Sequence, residues 1–155
     1  MNDAAPSKKE KGSKVARASA ARLASVQAVY QILTNDQTAA SVISEYRLHR
    51  FGEVLDGEEM VTPDGVLFHD VVNGVYARLN EVEDMVKAAM PGKSLEKEPL
   101  LMAVMLCGAW ELLSRLDVDT PVIVSDYLNV THAFYDQGEN KLVNAVLDKI
   151  STSVR

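Results

Sequence analysis

Most apolar positions in this chain recur at helical spacing. Leu23, Val26, Tyr30 and Leu33 lie three or four residues apart, which puts them on one face of a helix from about Ala16 to Leu33. The run Asn35-Asp36-Gln37-Thr38 breaks that pattern, and Thr38 is placed to cap a second helix reaching about Arg50. Residues 52–63 hold two glycines, a proline and four acids, the composition of a loop. Asp64 caps a third helix to about Asn80, a fourth covers Glu81 to Met90, and Pro91-Gly92 stops it. Ser94 is a candidate cap for a fifth helix, roughly Lys97 to Leu116, which is apolar nearly all round from Leu100 to Trp110. Such a helix is buried on most sides, with Cys107 and Trp110 in the core. Glu111 and Arg115, four residues apart, read as its exit to solvent.

Thr120 and Pro121 read as N-cap and first turn of a sixth helix, and Gly138 separates it from a seventh. In that last helix Leu142, Val143, Val146, Leu147 and Ile150 share one face, while Lys141, Asn144 and Asp148 share the other. A packed helix needs the first set and has no use for the second. The expectation is an all-α single domain of about seven helices. It spans residues 14–155, and residues 1–13 form a disordered basic arm.

Composition agrees with helix: 47% of the 155 residues are hydrophobic and only 6% are aromatic, so the core is aliphatic. The lone cysteine, in an apolar run, suits a buried thiol in a reducing compartment and a cytoplasmic protein. The N-terminus lacks the apolar stretch of a secretory signal, and the apolar run 99–110 is too short to cross a bilayer. Charge changes the picture once it is divided. Residues 1–22 carry a net +4 and residues 23–155 a net −10, within a total of −6. A basic arm on an acidic body suits a tail that touches nucleic acid, and equally a solubilising terminus.

Catalytic and metal chemistry find no support. His49, His69 and His132 lie on three separate helices, with no second histidine or cysteine at ligand spacing. Asp56, Glu58 and Glu59 lack the order of a calcium loop, and no nucleophile elbow, phosphate loop or dinucleotide fingerprint occurs. The expectation is a binding protein: no enzyme, no cofactor, no metal. Lys14, Arg17 and Arg22 at the start of the first helix are the candidate phosphate contacts, because guanidinium and ammonium groups grip phosphate. Phe134 and Tyr135 are candidate stacking platforms for unpaired bases, or a core phenylalanine and a surface tyrosine.

The closing KLVNAVLD, Lys141 to Asp148, resembles the signature of the NusB family of bacterial transcription antitermination and ribosome-biogenesis factors. RLASVQAVYQIL (22–33), LFHDVVNGV (67–75), AVMLCGAWELL (103–113) and 118–134 resemble further family segments, in family order. The resemblance covers roughly 14–155 and implies a compact all-helical domain of two packed subdomains. It also implies binding of the single-stranded RNA element boxA, together with the ribosomal protein NusE, in the antitermination complex of RNA polymerase. The implied RNA-binding residues are Arg22, Phe134, Lys141 and Asn144, beside the Lys14 and Arg17 of the basic helix start. The chain departs from the family pattern at Leu142, where phenylalanine is common, and in its thinned arginine cluster. Two other functions fit the same residues: the NusB-like domain of a ribosomal-RNA methyltransferase, and a helical scaffold that binds only protein.

Overall fold

The computed structural model describes residues 10–51, 54–55, 58–59, 61–92, 98–136 and 138–155. Within them the chain forms seven helices: α1 (Lys14–Asn35), α2 (Ala39–His49), α3 (Gly65–Ala77), α4 (Leu79–Ala89), α5 (Pro99–Ser114), α6 (Thr120–Phe134) and α7 (Glu139–Val154). Between α2 and α3, β1 (Val54–Leu55) and β2 (Glu58–Glu59) pair as a two-residue antiparallel ladder inside the segment expected to be irregular. Ser94 and Lys97, expected to open the fifth helix, lie outside the described residues, as do Asp56 and residues 1–9 of the arm.

Local chemistry accounts for most helix ends. The Ser13 hydroxyl accepts from the Ala16 amide, Thr38 from the Ser41 amide, and Asp64 from the amides of Val66 and Leu67. α1 stops where Asp36 turns left-handed at φ 54° and its amide reaches back to Ile32 O. Gly138 holds φ 87° ahead of α7, a conformation that side chains disfavour. One cap differs from expectation: Asp119 is the N-cap of α6, which moves Thr120 and Pro121 one position into the helix.

α5 is the hub. Leu101 to Ala109 are all buried, and the helix packs on α1, α3, α4, α6 and α7. An apolar run with no polar face can be satisfied only in this way. α1, α2 and α3 pack together on one side, and α4, α6 and α7 gather on the other. The first group is closed by Tyr46, Phe51 and Phe68, whose ring centroids lie 4.9 to 6.4 Å apart. Two glycines let α5 approach its neighbours. A Cβ on Gly74 would sit 2.1 Å from the Trp110 ring, and one on Gly108 would sit 2.9 Å from Leu147. Trp110 itself packs on the core but keeps a solvent edge, short of the full burial expected.

Candidate nucleic-acid interface

α1 enters the fold beside the loop that precedes α3. The Lys11 amide donates to Thr62 Oγ1, and the Thr62 amide returns a bond to Lys11 O at 2.9 Å. The described part of the arm, from residue 10 on, is therefore tied down. Arg17 joins this tether: its Nε donates to Thr62 O at 3.0 Å and its guanidinium pairs with Glu10 at 2.9 Å. Lys14, one turn earlier, is exposed and makes no side-chain hydrogen bond or ion pair among the described residues.

Arg22 is placed differently from the expectation that it contacts phosphate. The residue is only 4% exposed. Its Nε and Nη2 donate to the two oxygens of Glu111 at 2.8 and 2.9 Å, and its Nη1 donates to Asp126 Oδ2 at 2.7 Å. Tyr127 O–H donates to the same Glu111, and the Ser19 hydroxyl holds the other Asp126 oxygen at 2.9 Å. Burial alone lowers the pKa of the guanidinium, but the hydrogen bonds and charge of Glu111, then Asp126, reverse this and leave it above its ordinary value. Burial, then the Glu111 charge, pushes the Tyr127 hydroxyl and the Cys107 thiol well up. Arg22 is thus the centre of a buried internal network, which engages three of its five N–H donors. Glu111, read from spacing as a solvent exit, is fully buried as its partner.

The remaining expected site residues lie at the other end of α6. Phe134 is half-buried against the core at the last position of that helix. Lys141 and Asn144 are exposed on α7. A hydrogen bond between His132 on α6 and Asn140 on α7 ties the end of α6 to the start of α7, the region that holds Phe134 and Lys141. α1 touches α6 but not α7. Lys14 and Arg17 therefore form one cluster and Phe134, Lys141 and Asn144 another, with α6 running between them.

A cleft of about 710 Å³ opens at the first cluster, between the start of α1 and the start of α6. Lys14, Val15, Arg115, Val122, Ser125 and Asn129 line it, and Arg22 and Asp126 form part of its floor. Arg115, Ser125 and Asn129 are not among the site residues expected from sequence. Their only signal was placement on the polar stripe of the sixth helix and on the turn before it.

Among the described residues no three metal-capable side chains gather, and no helix is long and apolar enough to cross a membrane. The fold defines an all-helical domain with a basic helix start beside an open cleft. The sequence profile of the NusB family matches residues 19–152, so the chain belongs to that family, the transcription antitermination proteins. It is 38% identical over 138 residues to the transcription antitermination protein NusB of Rhizobium rhizogenes, covering 88% of this chain and 86% of that one. It is 39% identical to its counterpart in Allorhizobium ampelinum, with the same coverage. A solved structure of T. maritima NusB superposes with a TM-score of 0.72 over 93% of both chains at 19% identity, which speaks to the fold alone.

Proposed function

We propose that this protein binds the single-stranded RNA element boxA together with the ribosomal protein NusE, and tethers that RNA to transcribing RNA polymerase in the cytoplasm. Family membership carries the reading. The surface supports it through two separate clusters, Lys14 with Arg17 and Phe134 with Lys141 and Asn144, which offer cations and one aromatic edge to an extended strand. Unpaired RNA calls for this combination, since phosphates need charge and splayed bases need a flat apolar partner. Arg22 has no place in the contact set. It holds α1 to α5 and α6 and so fixes the backbone from which Lys14 and Arg17 project.

The mechanism is assembly rather than reaction. An adaptor that holds RNA with one surface and protein with another turns two modest affinities into one tighter complex through effective concentration. The matched relatives are named antitermination proteins, which favours the adaptor over a methyltransferase domain. The test is boxA RNA affinity measured with and without purified NusE. Tighter binding with NusE supports the reading. Equal affinity for boxA and for a scrambled RNA, with NusE present, refutes it.

A further inference from the structure

The cleft between α1 and α6 has an unusual division of charge. Its rim carries Lys14 and Arg115, and neither side chain meets a carboxylate among the described residues. Its acids are engaged: Asp64 caps α3, and Asp126 is bonded to Arg22 and Ser19. Arg22, Glu111 and Asp126 together hold one cation against two carboxylates, so the floor keeps a negative excess. The walls are aliphatic, with Val15 at 76% and Val122 at 51% exposure. Two polar side chains without hydrogen-bond partners among the described residues, Ser125 and Asn129, complete the α6 wall.

A ligand matched to this cleft has a flat, neutral body with donors and acceptors on its edge, and anionic groups that stay outside. A carboxylate placed deep in the cleft is disfavoured by the negative floor, whereas a neutral base is not. A nucleotide fits. The base can lie against Val15 and Val122, its edge can meet the hydroxyl of Ser125 and the amide of Asn129, and its phosphates can remain on Lys14 and Arg115. The fixed α5–α6 turn strengthens the case. The Arg155 guanidinium donates to Arg115 O at 2.8 Å and to Val118 O at 2.6 Å, which holds the backbone from which Arg115 projects.

We propose that this cleft is a base-accepting subsite for one unpaired nucleotide of the bound RNA, with Arg115 as its phosphate clamp and Asn129 as its reader of the base edge. The proposal rests on the RNA-binding reading above and extends the RNA path along α6 toward α1. The test uses the full chain with NusE and a short single-stranded RNA carrying boxA, each position substituted in turn by 4-thiouridine. On irradiation, one position should crosslink to the segment 122–129. Arg115→Gln should weaken binding roughly tenfold, the value of one charged hydrogen bond. It should also flatten the salt dependence by about 0.7 slope units. Asn129→Ala should weaken binding at unchanged slope. Val122→Trp, at an exposed site that tolerates bulk, should abolish the crosslink. If Lys141→Ala weakens binding while Arg115→Gln and Asn129→Ala do not, the subsite is refuted and the RNA reading stands. If Arg115→Gln weakens NusE capture but leaves RNA binding intact, the cleft takes protein and the proposal fails. If no variant in either cluster affects RNA binding, both readings fail.

Discussion

Arg22→Met is the most direct test of the buried network. Methionine matches much of the arginine stem but supplies no donor. The change leaves Glu111, fully buried, and Asp126, 9% exposed, facing each other without their cation. Breaking a buried pair from one side costs about 3–5 kcal/mol, because the remaining charge is neither solvated nor compensated. That is a large part of the roughly 5–15 kcal/mol by which a domain is stable. With a urea m-value of about 2 kcal/mol/M, the unfolding midpoint should fall by about 2 M. The assay is equilibrium urea unfolding followed by far-ultraviolet circular dichroism at neutral pH. The double variant Arg22→Met with Glu111→Gln should recover part of the loss, since one orphaned charge has gone. A midpoint shift below about 0.3 M would mean a site worth well under 1 kcal/mol. Arg22 would then be solvated and free to meet phosphate, and its assignment as an internal pin would be wrong.

Four further outcomes follow from the same geometry. Lys14→Ala should flatten the salt dependence of boxA binding by about 0.7 slope units, whereas Phe134→Ala should cost about 1–3 kcal/mol of affinity at unchanged slope; filter-binding titrations at several salt concentrations separate the two. Gly74→Ala should destabilise by about 1–3 kcal/mol and shift Trp110 fluorescence, because the added methyl has no room against the indole. Arg155→Ala should lower stability by about 1–2 kcal/mol in thermal melts, since its guanidinium bonds the carbonyls of Leu112 and Arg115 at the end of α5. The Cys107 thiol should resist iodoacetamide until the protein unfolds. Because its folded pKa is raised, the native state keeps a proton that the unfolded state loses, so stability should fall as pH rises past about 8.5.

The sequence by itself determined the helices. Hydrophobic spacing fixed their number and order, and Ser13, Thr38 and Asp64 act through side-chain bonds to nearby amides, a local chemistry that needs no tertiary partner. The burial of α5 was also legible, because an apolar run without a polar face has only one solution. The closing KLVNAVLD carried the family.

Tertiary structure alone decided the charges. Arg22 looked like a phosphate contact because it follows a basic arm, and Glu111 looked like a surface residue because Arg115 stands four positions later. Yet Arg22, Val26 and Val29 share one stripe of α1, so the guanidinium is carried inward. It meets a carboxylate 89 residues away and another 104 residues away. Helical periodicity says which face a side chain occupies but nothing about what the facing helix presents there. A buried charge survives only if that distant partner arrives. For the same reason the cleft was invisible in sequence. Lys14, Arg115 and Asn129 are ordinary polar residues along the chain, and only the packing of α1 against α6 turns them into one surface.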